Sequence, residues 1–292
     1  MPVIATRSSI PFMHRVHKLE PVDLVPPFEI SLPSALRYSG EKAMYESCGL
    51  TRESYSTARY LSKTLASVPT ALRSLPTDNG NCIRCESNCP ILQCYSSEHG
   101  LRLASDSDAY SAIGLILAAL SEVVEPYPFL MAAISELVWS CHIVIAQGDD
   151  YDASFSDPAV PFSIFVSVPV KRDRASILRV AENLIHETMH LQLSLFERYC
   201  PLVNTQSTIS FYSPWKKQDR PVQGIVHGLY VFCVLRWMWR QVLRTSPNDA
   251  DKAFASRRIA EINDDISAVR DLKESPLITE SGGRFLSRLY AA

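Results

Sequence analysis

The segment RASILRVAENLIHETMHLQLSLFERY, residues 174–199, decides the fold, because its apolar residues recur at helical spacing over about seven turns. On this predicted helix His186 and His190 are four residues apart, so both imidazoles project from one face and can reach a single ion. Glu187 lies beside them and completes the HExxH motif. Burying two imidazoles and a carboxylate on an apolar stripe is costly without a partner, so we predict a metal site rather than two core histidines.

Two histidines leave the coordination sphere incomplete, so a third ligand must come from another part of the chain. Glu197 lies on the same face of the helix but about 10 Å further along its axis, so we predict a surface or outer-shell carboxylate. His227 lies in a second predicted apolar helix, where Gly224 and Gly228 leave the backbone bare. We predict that this helix packs closely against the first and that His227 is the third ligand, with Asp219 as the fallback.

The composition is that of an ordinary soluble globular protein, with 47% hydrophobic residues, 29 basic and 31 acidic residues in 292. The absence of a basic cluster argues against a nucleic-acid partner. No segment has the length and composition of a secretory signal or a membrane span, so we expect a cytoplasmic protein without a membrane partner. Nothing in the sequence indicates the oligomeric state.

Periodicity and composition predict the elements along the rest of the chain. Helices are predicted over 41–68, 108–124, 222–244 and 248–273 and at the C terminus, and strands over 137–147 and 162–170. Residues 1–40 are expected to form an extended arm, and residues 76–94 and 213–221 to form loops. The predicted fold class is α+β, mostly helical, with a small sheet next to a zincin-like HExxH helix and a second ligand-bearing helix. An accessory region over 1–105 is expected to precede a metal-dependent catalytic domain over 106–292.

The cysteines suggest a second metal site. Cys82, Cys85, Cys89 and Cys94 form a C-x2-C-x3-C-x4-C pattern, which favours a small structural zinc site with His99 as a substitute ligand. An iron–sulfur cluster and a thiol-rich loop without metal are the alternatives. The remaining cysteines lie singly in apolar settings and are predicted to be packing residues: Cys48, Cys141, Cys200 and Cys233.

Several motifs together resemble one family. SFSDPAVPFSIFVSV (154–168), LIHETMH (184–190), SPWKKQDRPVQGIVHG (213–228) and LITESGGRFLSRL (277–289) look like the HExxH-type peptide β-hydroxylases. These are iron(II)- and 2-oxoglutarate-dependent enzymes that modify ribosomally made precursor peptides. The likeness covers roughly residues 110–292.

The resemblance implies that His186, His190 and His227 hold Fe(II), with 2-oxoglutarate and O2 as cosubstrates. It implies oxidative decarboxylation of 2-oxoglutarate to succinate, coupled to hydroxylation of a side-chain β-carbon in a precursor peptide. Glu187 would then support the site by orienting water or a histidine, rather than transfer a proton.

The resemblance also implies a basic partner for the far carboxylate of 2-oxoglutarate. Arg220 is the first choice, because a guanidinium binds a carboxylate bidentately, and Lys216 is the second. Both could equally be solvated loop charges. Ser154 and Ser156 are candidate pocket residues or turn formers. The strand over 162–168 is either a sheet edge that pairs with an extended peptide or an ordinary interior strand.

Two other functions are also compatible with the HExxH motif. In a zinc metallopeptidase, Glu187 would be the general base that activates a metal-bound water. In a non-catalytic peptide-binding scaffold, the metal would serve stability alone. Three histidines suit zinc and iron alike, so the choice of iron depends on the resemblance.

Overall fold

The HExxH segment forms one continuous helix, α6 (Arg174–Glu197), around which much of the chain packs. The helix begins after Asp173, whose Oδ1 accepts a hydrogen bond from the backbone N–H of Ser176 at 2.9 Å. This cap satisfies one of the backbone donors that the first turn leaves without a helical partner. The apolar stripe that predicted the helix, including Leu184 and Leu193, is buried.

The computed structural model describes residues 19–63, 71–77, 80–145, 154–204 and 209–292. The other helices are α1 (Ser31–Cys48), α2 (Thr57–Ser62), α3 (Pro90–Glu98), α4 (Asp106–Ala119), α5 (Pro128–Leu137), α7 (Val222–Thr245), α8 (Asp249–Ser267) and α9 (Glu280–Ala291). The strands are β1 (Ala71–Pro76), β2 (Cys82–Glu86), β3 (Ser140–Val144), β4 (Ser163–Ser167), β5 (Ser210–Ser213) and β6 (Gln218–Pro221). The fold is α+β and mostly helical, as predicted.

A four-stranded sheet in the order β1-β2-β3-β4 lies against α6 through β4. Strand β1 is antiparallel to β2, whereas β2 is parallel to β3 and β3 is parallel to β4. Every residue of β3 and β4 is buried, which explains why these two strands read as continuous apolar runs. Strand β4 is the last of the sheet, but Phe155 pairs with its outer side through both backbone hydrogen bonds to Phe165, each 2.8 Å long.

Elements from both sides of the predicted boundary between residues 105 and 106 pack together. Strands β1 and β2 come from the N-terminal side of it and share one sheet with β3 and β4 from the other side. Helix α1 packs against α5 and α6, and the approach is close: a Cβ on Gly40 would lie 2.8 Å from Leu195 and from Phe162. The N-terminal elements therefore contribute to the same core that carries the HExxH helix.

Some predictions of local structure also need correction. Residues 76–94, expected as a loop, contain β2 and the start of α3, and residues 213–221 contain most of a β5–β6 hairpin. The expected arm over 1–40 contains the start of α1 at Ser31, and residues 1–18 lie outside the described part. Strands of four or five residues are too short for a clear period, and their pairing partners are distant in sequence. Pro90 at the start of α3 was a helix signal that the cysteine spacing obscured.

Within the described residues, one segment is long and apolar enough to cross a membrane, Asp106–Val124. It consists of α4 and a π-helical turn (Leu120–Val124) in which the N–H of Glu125 bonds the carbonyl of Leu120. Half of this segment is buried inside the protein, where α4 packs against α6. These contacts are those of a helix that packs in the protein core.

Candidate metal site

A cavity of about 470 Å³ lies between α6, α7, the β5–β6 hairpin and residues 154–158, which we call the rim segment. It unites segments that are far apart in the sequence. Its lining includes the predicted site residues Ser154, Ser156, His186, Glu187, His190, Lys216, Arg220 and His227. Apolar walls are added by side chains that sequence reasoning did not select, Phe155, Leu191, Trp215 and Phe232.

The HExxH histidines form a chelating pair. The Nε2 atoms of His186 and His190 are 3.2 Å apart. Two imidazole nitrogens bound to one ion at about 2.1 Å each stand at roughly this separation. Burial lowers the pKa of both imidazoles, so both rings are neutral near pH 7, the form that binds metals. The donor types and their separation therefore fit zinc or iron.

His227 contacts the other side of the His190 ring. Its Nδ1 is 3.3 Å from Nδ1 of His190, and its Nε2 donates to Oε2 of Glu197 at 2.7 Å. Because Nε2–H of His227 donates to the Glu197 carboxylate, Nδ1 of a neutral His227 ring carries no proton. This Nδ1 therefore accepts a hydrogen bond from Nδ1–H of His190. That tautomer leaves the lone pair of His190 Nε2 directed toward His186. Glu197 and His227 thus orient His190, as carboxylate–histidine pairs do behind metal ligands.

The structure does not arrange the predicted three-histidine set around one point. Among the described residues, no group of three or more histidine, cysteine, aspartate or glutamate side chains is placed to hold one ion. His227 can join the HExxH pair only if its ring turns away from Glu197. The predicted fallback, Asp219, is exposed on β6 and does not line the cavity. Glu197, predicted as a surface or outer-shell carboxylate, is largely buried against His227.

Glu187 is buried on the cavity floor. Its Oε2 accepts a hydrogen bond from Ser156 Oγ at 2.7 Å, and its Oε1 lies 3.9 Å from Nε2 of His186. Burial raises the pKa of Glu187 to about 8, although the bond from Ser156 and the charge of Lys216 act in the opposite direction. Ser156 is therefore a site residue rather than only a turn former. Ser154 accepts from the backbone N–H of Ser167 and fastens the rim segment to β4.

Two cations face the cavity from the hairpin. Lys216 lies in the turn between β5 and β6, and Arg220 lies on β6. In the described part of the chain, neither side chain forms an ion pair or hydrogen bond with an acidic residue. An arginine and a lysine that line one cavity without a carboxylate partner have the charge and hydrogen-bond donors that suit an anion.

The two glycines of α7 face the hairpin and not α6, which corrects the predicted packing. A Cβ on Gly228 would lie 2.3 Å from ring carbons of Trp215, so only glycine leaves room for this indole. A Cβ on Gly224 would lie 3.5 Å from Nε of Arg220, which is an ordinary contact. The glycines thus seat the hairpin on α7 and hold its side chains over the histidines.

We expect Gly228→Ala to destabilise the protein by about 1–3 kcal/mol, because the added methyl overlaps the indole and forces it out of place. Gly224→Ala is the matched control on the same helix. It gains the same helix propensity, up to about 1 kcal/mol, without a clash. Urea unfolding and tryptophan fluorescence of both variants measure the difference. Equal stability of the two variants would contradict the packing of Trp215 on Gly228.

The cysteine cluster is not brought together. Cys82 and Cys85 are three residues apart on β2 and so point to opposite faces of the sheet, Cys82 exposed and Cys85 buried. Cys94 is exposed on α3 and bonds Glu98. His99 donates Nδ1–H to the carbonyl of Tyr95. The described structure therefore does not group these cysteines around one point, because a strand and a helix separate side chains that are close in sequence.

The single cysteines behave less uniformly than predicted. Cys141 and Cys233 are buried packing residues, and Cys141 lies opposite Cys85 on the neighbouring parallel strand. Cys200 is half-buried, whereas Cys48 is exposed at the end of α1. For Cys48 the prediction is wrong.

A larger cavity of about 700 Å³ lies at the junction of α6, α7, α8 and the π-helical turn. Its charged groups satisfy one another: Arg174 donates to both carboxylate oxygens of Asp251 at 2.8 Å and also pairs with Glu122. None of the predicted site residues lines it. The HExxH cavity is therefore the candidate functional site.

No protein-family model matches the chain, and no curated protein is significantly similar to it. The likeness to the peptide β-hydroxylases accordingly stays a prediction from the motifs.

Proposed function

We propose that the protein is an Fe(II)- and 2-oxoglutarate-dependent dioxygenase that hydroxylates a side-chain β-carbon of a ribosomally synthesised precursor peptide. The observation that carries the proposal is the pairing, within one cavity, of a two-imidazole chelate with cations that lack a carboxylate partner. Cleavage of an internal peptide bond between neutral residues supplies no anion for such cations, whereas a dicarboxylate cosubstrate does. We further propose that the reaction takes place in the cytoplasm.

The cavity residues would have different roles in binding the ion and the cosubstrate. His186 and His190 would hold the ion, and His227 with Glu197 would orient His190. Arg220 would bind the far carboxylate of 2-oxoglutarate. When bound, iron supplies activation of O2, so that one oxygen atom ends in succinate, with loss of CO2, and the other in the hydroxyl group of the peptide.

Glu187 and the apolar walls have supporting roles. The hydrogen bond from Ser156 holds the Glu187 side chain beside His186, where it orients polar groups at the ion. Trp215 and Phe232 exclude water from the reacting carbon and limit the side chains that can enter.

The rim segment favours an extended peptide as the substrate. Both backbone hydrogen-bonding groups of Phe155 are used by β4, so the N–H and C=O groups of Ser154 and Ser156 point the other way. A peptide strand lying over the cavity could pair with them. The predicted pairing with the outer edge of β4 itself is excluded where Phe155 occupies that edge.

The direct test is anaerobic reconstitution with Fe(II), followed by exposure to O2 with 2-oxoglutarate and candidate precursor peptides. Succinate and a peptide product heavier by one oxygen atom are expected. We expect Glu187→Gln to keep succinate formation within about tenfold of wild type, because the side chain acts behind the ligands. Well-metallated protein that forms no succinate with any peptide would contradict the proposal.

A zinc metallopeptidase is the second candidate, favoured by the geometry of Glu187. The carboxyl lies beside the histidine pair, and its raised pKa of about 8 is close to that of a general base working near neutral pH. In that case Glu187→Gln would abolish cleavage of a peptide library by the zinc-loaded protein. The same variant therefore separates the two functions.

A further inference from the structure

The two cavity cations lie at different points of the hairpin. Arg220 lies against Gly224, one turn before His227 on α7. Lys216 lies in the turn of the hairpin and lines the same cavity as Ser156 and the rim segment.

One dicarboxylate cosubstrate requires only one of these cations. A keto-acid that chelates an ion uses its near carboxylate and keto oxygen at the metal, so a single far carboxylate remains for a basic residue. With Arg220 assigned to it, Lys216 has no anionic partner among the described residues. The two carboxyl groups beside the histidines have partners of their own, since Glu187 is bonded by Ser156 and Glu197 by His227.

We propose that Lys216 binds an acidic side chain of the peptide substrate, so that the residue presented to the ion is an aspartate or glutamate. This inference rests on the proposed function and deepens it. Lys216 lines the same cavity as the rim segment, whose backbone groups are proposed to pair with the peptide, and an anionic side chain complements its charge. An ammonium group on a flexible stem suits a substrate carboxylate that must enter and leave.

Lys217 offers a matched control. It is the next residue, it is exposed, and it does not line the cavity. The pairs Lys216→Gln with Lys217→Gln, and Lys216→Glu with Lys217→Glu, change the net charge equally. Only the position of the charge relative to the cavity differs between the members of each pair.

The test uses short extended peptides that are identical except for a central Asp, Asn, Lys or Ala. Binding is measured with Mn(II)- and 2-oxoglutarate-loaded protein without turnover, and oxidation is measured with the Fe(II) protein. We expect wild type and Lys217→Gln to prefer Asp over its neutral isostere Asn by about tenfold. Lys216→Gln should bring the ratio near one without changing the KM for 2-oxoglutarate, and Lys216→Glu should favour the Lys peptide.

Equal binding of the Asp and Asn peptides by wild type would overturn the inference. An equal effect of the Lys217 variants would overturn it as well, since the charge would then act at long range. The inference would also be overturned if the Lys216→Gln variant had a higher KM for 2-oxoglutarate and kept the preference for the Asp peptide. If the protein prefers the Asp peptide in binding but forms no succinate, the hydroxylase proposal is contradicted and the inference about Lys216 is kept. If it forms succinate without preferring the Asp peptide, the hydroxylase proposal is kept and the inference about Lys216 is contradicted.

Discussion

His190→Ala is expected to abolish metal binding and turnover, whereas His227→Ala is expected to keep the metal with lower affinity. His190 supplies one of two nitrogens that face each other at 3.2 Å, so its loss leaves a single imidazole. We expect the affinity for Fe(II) or Zn(II) to fall by at least about a hundredfold. His227 contacts the far nitrogen of His190, and loss of such a partner costs about 10- to 100-fold.

Metal content per chain, measured after dialysis and in competition with a chelator, distinguishes the two variants. His99→Ala, which removes an imidazole outside the cavity, should keep full metal content. Wild type should hold one ion per chain, because the cysteines are not arranged to hold a second. If His227→Ala loses the metal as completely as His190→Ala, then His227 is a direct ligand, as the resemblance implies, and its ring turns when the ion binds.

Arg220→Ala is expected to raise the KM for 2-oxoglutarate by roughly 10- to 100-fold, the range for loss of a charge-assisted hydrogen-bonded pair. Maximal turnover at saturating cosubstrate should change far less, because the far carboxylate is remote from the reacting atoms. Arg220→Lys should recover part of the affinity, since an ammonium keeps the charge but not the bidentate geometry.

The control for Arg220 is Arg244→Ala. Arg244 is exposed near the other end of α7, about 30 Å along the helix from Gly224. Titration of 2-oxoglutarate in succinate assays, and direct binding to the Mn(II) protein, measure the effect. An unchanged KM in Arg220→Ala would assign the cosubstrate to Lys216, the second choice, and would remove the basis for the substrate inference.

Most residues that the sequence suggested for the site lie together in the fold. Ser154, Ser156, His186, Glu187, His190, Lys216, Arg220 and His227 line one cavity, because the elements that carry them pack against each other. The four clustered cysteines are not brought together in the same way. Their spacing in the sequence does not determine the direction of their side chains until the backbone conformation is known. Once Cys82 and Cys85 lie on a strand, their side chains diverge.

Contacts between distant segments were the other limit. Trp215 packs on Gly228, and His227 bonds Glu197, which are contacts between residues of different elements. No local sequence pattern predicts either contact. The short strands β1 and β2 could not be predicted, because the hydrogen bonds that stabilise them come from neighbours elsewhere in the chain.

The sequence by itself determined the mostly helical α+β class, the HExxH helix and the pairing of His186 with His190, because helical periodicity is local and places residues four apart on one face. The tertiary structure alone decided which nitrogen of His190 faces His186 and which face of α7 supports the hairpin. These depend on the packing of α6, α7 and the hairpin, and side-chain direction across such contacts is set by the three-dimensional arrangement rather than by spacing along the chain.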